Sequence, residues 1–272
     1  MAAILETTPR AQPAPLPPWD PFREAVRATF FLGLREVRTV LRSAAVVVPN
    51  LLVPVLFFFV IVGSLEDFAQ RSGLENYKAF QVPVVIMFAV TGGSAGLNLV
   101  VDIESGYFDK LLLTPANRLG ILLGAMGADF VRVFLQGLFV VVIAMVAGTE
   151  IATGVPGAVL LAAIASLWGL AYSAIGFAIA LKTGSPQATM NTWIFQIPLV
   201  FLSTAFAPLD ALTGWLKAVA TYNPVTYLFR GLRSLAMVGW DAGEIGVALL
   251  TAGGFGAVTI SIAFRALRGR VK

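Results

Sequence analysis

The sequence predicts an all-α polytopic membrane protein. It has six transmembrane helices, an N-terminal interfacial amphipathic helix, and short re-entrant helices before the last span. Three observations predict this. Hydrophobic residues make up 58% of the 272 residues and charged residues only 12%, about half the charged share of a soluble domain. The apolar residues fall in blocks of about twenty or more, too long for a globular core. Lys and Arg concentrate in alternate connecting segments, as cytoplasmic loops of membrane proteins do. A β-barrel is excluded, because its strands would be about ten residues of alternating polarity.

Residues 1–19 contain Pro9, Pro13, Pro15, Pro17 and Pro18. They are expected to form a disordered tail, with no apolar run of the signal-peptide kind. Asp20 then suits an N-cap, with Pro21 at the first helical position. Over 20–43, Phe22, Val26, Phe30, Leu34, Val37 and Leu41 recur at helical spacing. Arg27, Arg38 and Arg42 flank that face and Arg35 lies farther round. The pattern predicts a helix lying in the membrane interface, its arginines reaching to headgroups.

The transmembrane domain occupies 44–272. The first span is expected over 44–63, kinked by Pro49 and Pro54, followed by a polar segment over 64–80. The second span is expected over 81–101, with Gly92, Gly93, Ser94 and Gly96 allowing close helix approach. The third covers 121–148 and carries Asp129 and Arg132 at i,i+3. Intramembrane charges are costly and usually paired. A substrate or proton contact is one reading. A structural ion pair near the cytoplasmic surface is the preferred one, because the pair lies early in the run. A tight turn over 149–155 leads to the fourth span at 156–181. The fifth is expected over 189–209 and the sixth over 245–264.

The segment 208–243 is apolar but broken by Gly214, Asn223, Pro224 and Gly231. No piece reaches about twenty residues, so none spans. Two short re-entrant helices at the outer interface are expected, with Asn223, Pro224 and Tyr227 as marker residues and Tyr and Trp at headgroup depth. Six spans put both termini on one side. That side holds thirteen Lys and Arg and the other five, Arg132 aside. The positive-inside rule then places both termini in the cytoplasm.

The longest polar interval on the cytoplasmic side is the loop 102–120. Within it, Glu104 lies near the start of an expected short helix. Tyr107 and Leu111 share one face, Phe108 and Leu112 the neighbouring one, and Pro115 ends the helix. Exposed aromatic and Leu side chains there need lipid or a partner to cover them. A partner is the favoured reading, since a helix with apolar anchors suits a groove on another protein.

Several chemistries are excluded. The chain has no Cys and no His, so it lacks the residues for thiolate catalysis, His-based general-base catalysis and the commonest metal sites. It has no phosphate-binding loop of the Gly-x-x-x-x-Gly-Lys-Ser/Thr kind. The spans hold one carboxylate, Asp129, too few for a proton relay. Uphill transport would need energy from another subunit.

Residues Glu104-Ser-Gly-Tyr-Phe-Asp-Lys-Leu-Leu-Leu-Thr-Pro-Ala-Asn-Arg-Leu-Gly-Ile-Leu-Leu-Gly124 resemble the acidic-start, Leu-Leu-x-Thr-Pro loop of ABC exporter permeases of the type 2 class. Tyr222-Asn-Pro-Val-Thr-Tyr-Leu-Phe-Arg-Gly-Leu-Arg233 is similar to their Asn-Pro-x-Thr-Tyr segment before the last span. Order and spacing fit over about residues 20–265, nearest to the daunorubicin-exporter-like branch of drug and lipid exporters. The resemblance implies that 20–43 is the connecting helix and 104–114 the coupling helix. Glu104, Tyr107, Phe108, Lys110, Leu111, Thr114 and Pro115 would then contact the ATPase. It also implies a permease dimer, as a homodimer or with a paralogue, in a bacterial cytoplasmic membrane. Two cytoplasmic ATP-binding subunits would carry the ATP and Mg, so this chain is expected to be no enzyme and to hold no cofactor. The expected function is export of a hydrophobic drug or lipid. The alternatives are a polysaccharide or glycolipid exporter permease, or a non-transporting membrane anchor for an ATPase. No nucleic-acid partner is expected.

Overall fold

A computed structural model of the chain describes residues 31, 44–74, 76–91, 96–106, 108, 110 and 118–270. Among the described residues every regular element is helical. The elements are α1 (Ala44–Arg71), α2 (Tyr77–Thr91), α3 (Leu97–Glu104), α4 (Arg118–Val146), α5 (Gly154–Thr183), α6 (Pro186–Met190), α7 (Trp193–Phe201), α8 (Gly214–Tyr222), α9 (Pro224–Arg233) and α10 (Ala242–Arg270). A 3₁₀ turn at Leu209–Ala211 precedes α8, and a π turn at Ser234–Val238 follows α9.

Four helices hold stretches long and apolar enough to cross a membrane: Leu51–Arg71, Leu122–Val146, Gly154–Thr183 and Ala242–Gly269. They correspond to the first, third, fourth and sixth expected spans. The first extends beyond its expected end at 63, into the segment read as loop. Nothing in 64–71 breaks a helix, and α1 stops only where Gly73 takes φ 90°. There the Leu74 amide donates to Ala69 O and the Gly73 amide to Gln70 O, a Schellman ending that only a glycine fits without strain.

The second and fifth expected spans are not single helices. The second divides into α2 and α3, with Gly96 at φ 79° capping the latter. The fifth divides into α6 and α7 at Asn191 and Thr192. Ser185 Oγ accepts from the Ala188 amide to start α6, and the Tyr172 hydroxyl donates to the Thr192 carbonyl at the break. The nine residues of α7 extend about 14 Å, roughly half the hydrocarbon thickness.

The hub is α5, which packs against α2, α3, α4 and α10. Its apolar residues run all round, as suits a helix enclosed by others. Trp168 stacks on Phe255 of α10 with centroids 4.5 Å apart. Two cores result. A larger one joins α1, α2, α4, α5 and α9, around Phe58, Met87, Val140, Trp168 and Phe229. A smaller one lies at the end that the charge pattern assigns to the cytoplasm. It joins α3, α4, α5 and α10 around Val100, Leu122, Phe177 and Leu267.

Candidate functional site

The first site begins at Gly96. A Cβ there would lie 2.8 Å from the carbonyl carbon and oxygen of Gly176, so the backbones of α3 and α5 cross in direct contact. Leu99 and Val100 then fix α3 in the smaller core. Glu104 is exposed and is the last residue of α3. This corrects the expected start of the coupling helix. Gly106 turns the chain at φ 69°, and the Lys110 amide donates to Gly106 O at 3.2 Å, so helical bonding resumes only after Gly106. Glu104 therefore stands at a helix C-terminus, where the dipole does not favour it.

Phe108 differs from its expected exposure. It is 3% exposed, packed in the smaller core with Leu122, Met126 and Phe177. The apolar face of the coupling segment is thus partly covered by the chain itself. Lys110 is exposed. Tyr107, Leu111, Thr114 and Pro115 lie outside the described residues, as do Arg27, Arg35, Arg38 and Arg42.

The second site lies within α4, between the two cores. Leu122 and Met126 belong to the smaller core, Val133 and Val140 to the larger. Asp129 sits between them and is 8% exposed. Helix rise places it about 10 Å into the apolar stretch that begins at Leu122. Arg132 Nε and Nη2 donate to Asp129 Oδ1 at 2.9 and 2.5 Å. Arg132 Nη1 reaches Gln136 Oε1 at 3.5 Å. Asp129 Oδ2 is buried with no hydrogen-bond partner among the described residues. The expected ion pair is present, but it engages one carboxylate oxygen only.

The third site ties the short helices α8 and α9 to the bundle. Asn223 Oδ1 accepts from the Val225 amide at 2.9 Å, capping α9 with Pro224 at its first turn. Its Nδ2 donates to Leu199 O and Leu202 O, both at 2.8 Å. One side chain thereby starts α9 and satisfies carbonyls at the end of α7. The Tyr227 hydroxyl donates to Thr221 O at 2.8 Å, binding α9 to α8. Sequence reasoning missed Arg233. Its Nη2 donates to Ala205 O at 2.9 Å and its Nε to Phe80 O at 3.3 Å. Its place in the last turn of a short helix, one turn after Phe229 at the edge of the apolar face, was the available signal. Gly231, expected to break the segment, instead lies inside α9. A Cβ there would lie 2.5 Å from Ala248 Cβ, so α9 presses on α10.

The family model described as "ABC-2 type transporter" matches residues 27–237. Among curated proteins, a transport permease of Cyanophora paradoxa, ycf38, is 29% identical over 77% of this chain and 74% of its own. The doxorubicin resistance ABC transporter permease protein DrrC of Mycobacterium tuberculosis is 25% identical over 73% and 72%. The daunorubicin resistance ABC transporter permease protein DrrB1 of Streptomyces coeruleorubidus is 24% identical over 83% and 79%. The family match runs from ahead of α1, through the coupling segment and Asp129, to the end of the short helices α8 and α9, and the chain belongs to the ABC-2 type transporter family as a multi-pass membrane permease.

Proposed function

We propose that the chain is the membrane subunit of an ATP-driven exporter that moves a hydrophobic drug or lipid out of the cytoplasm or the inner leaflet. The observation that carries this reading is the family match over residues 27–237. The names of DrrC and DrrB1, both drug-resistance permeases, support the drug class. The energy comes from a separate ATP-binding subunit in two copies, which binds ATP and Mg. The absence of a phosphate loop in the sequence supports that division of labour. The surface around Glu104 and Lys110 is the docking element for that subunit. A second permease copy, identical or paralogous, completes the complex. The chain resides in a bacterial cytoplasmic membrane with both termini inside, as the Lys and Arg distribution favours.

The test is reconstitution of the permease with its ATP-binding subunit in inside-out proteoliposomes. ATP-dependent accumulation of daunorubicin or of a fluorescent phospholipid is expected. It should be abolished when the phosphate-loop Lys of the ATPase is replaced. A stable complex that hydrolyses ATP and moves neither compound would defeat the drug and lipid reading and leave the polysaccharide or glycolipid exporter and the anchor.

A further inference from the structure

We propose that Asp129 is a substrate-discriminating residue. Its free carboxylate oxygen accepts a hydrogen bond from a hydroxyl or ammonium group of the transported amphiphile, with Arg132 as the standing counter-ion. This rests on the exporter reading above.

Arginine and carboxylate usually pair as two forks, with two parallel bonds to two oxygens. Here both guanidinium bonds converge on Oδ1, at 2.9 and 2.5 Å. The third arm turns away toward Gln136. The carboxylate is 8% exposed, and Oδ2 is left without a partner among the described residues. An unmade hydrogen bond at a buried acceptor costs more than a made one contributes, and a charge inside a membrane is retained where it serves a function.

The location also fits. Asp129, Arg132 and Gln136 form a stripe along the edge of the buried face of α4. Seven residues beyond Arg132 on that edge, Phe139 is 44% exposed. The stripe therefore runs toward exposed apolar surface about 10 Å beyond Arg132, while Oδ2 itself is buried. The ion pair is neutral as a unit, so what complements Oδ2 is a hydrogen-bond donor rather than a second obligatory charge.

The experiment uses the whole permease–ATPase complex in proteoliposomes and three fluorescent alkyl probes with one common tail. Their heads are an ammonium, a hydroxyl or a methyl ether. Daunorubicin serves as the transport control. The wild type should move the two donor-bearing probes at concentrations roughly tenfold or more below the methyl ether, as loss of a bond to a charged acceptor implies. In Asp129→Ala with Arg132→Ala, which removes both charges and the acceptor oxygens together, that ratio should fall toward one while the complex still assembles. Loss for the ammonium probe alone identifies the ammonium as the donor recognised. Loss for both identifies donors in general.

An equal response to all three heads in the wild type, or an unchanged ratio in the double variant, overturns the proposal. If the double variant does not assemble, Asp129→Glu decides, because it keeps the charge and moves the oxygen; an unchanged ratio there overturns the proposal as well. Daunorubicin moving without any head-group preference defeats this inference and spares the exporter reading. No ATP-dependent movement of any compound defeats both.

Discussion

The guanidinium carbon of Arg233 stands 3.4 Å from the centroid of the Phe80 ring, and its Nε donates to the carbonyl of the same residue. Phe229, one turn earlier on α9, offers its ring at 5.2 Å. Together with the bond to Ala205 O, one cation links α2, the segment after α7, and α9. Two charge-assisted bonds and two ring contacts hold it. Arg233→Ala should destabilise the permease by about 2 kcal/mol or more, with the fork's two acceptors left buried. Arg233→Lys should recover little, because an ammonium cannot reach both carbonyls while lying flat on a ring. Thermal unfolding in detergent checks this, and a Lys variant matching wild type would contradict it.

Asn223 separates two roles in one side chain. Asn223→Asp keeps the acceptor that caps α9 and loses the donor for Leu199 O and Leu202 O. Asn223→Ala loses both. The cap alone is worth about 1 kcal/mol, but the Asp oxygen in place of Nδ2 faces two carbonyl oxygens, a buried acceptor against acceptors, so Asp should be the more destabilised of the two. Hydrogen exchange over residues 199–206 should quicken in both variants, whereas exchange at the start of α9 should quicken only in Ala.

At Gly96, substitution by Ala meets two obstacles at once: a positive φ, and backbone atoms of Gly176 at 2.8 Å. The neighbours cannot yield as a flexible side chain would. Gly96→Ala should therefore lower stability and displace α3. Gly106 also has a positive φ, but no described residue lies within 4 Å of its would-be Cβ. Gly106→Ala should cost only the strain of a left-handed residue, about 1 kcal/mol. Side-by-side melting of the two variants tests the distinction.

Topology has its own test. Asp67 lies exposed in the last turns of α1, and Asp241 lies exposed just before α10. A cysteine at either position should react with an impermeant thiol reagent from outside the cell. The absence of native cysteines makes the assay clean. Labelling from the cytoplasmic face alone would reverse the assigned orientation.

The long helices were legible in the sequence because each is built around an apolar run of about twenty residues. The short helices α8 and α9 were legible because Asn223 and Pro224 mark a cap. The divided segments were not. The break between α6 and α7 depends on a hydroxyl from Tyr172, twenty residues away, and local propensity carries no trace of such a bond. The extension of α1 was missed because polarity was read as loop, although Glu66, Asp67, Gln70 and Arg71 are all compatible with helix. At the coupling segment, periodicity placed Phe108 on an apolar face but could not say what covers it. The answer came from α4, α5 and α10, which the fold brings beneath it.

That covering divides the coupling segment into two functions that can be tested apart. Phe108 is inserted in the smaller core, whereas Glu104 and Lys110 remain exposed beside it. A push from an ATP-binding subunit on the exposed residues would pass through Phe108 to α4 and α5. Phe108→Ala leaves a cavity and should destabilise by about 3 kcal/mol or more, yet it removes nothing that a partner touches. Co-purification with the ATPase should therefore survive, while ATP hydrolysis should cease to respond to substrate. Phe108→Leu, which refills most of the volume, should restore much of the response. Glu104→Ala and Tyr107→Ala should behave in the opposite way, with unchanged melting and weakened recovery of the ATPase, because interface anchors of this type often carry about 2 kcal/mol each. Full retention of assembly and transport in both of these variants would show that the ATPase docks elsewhere.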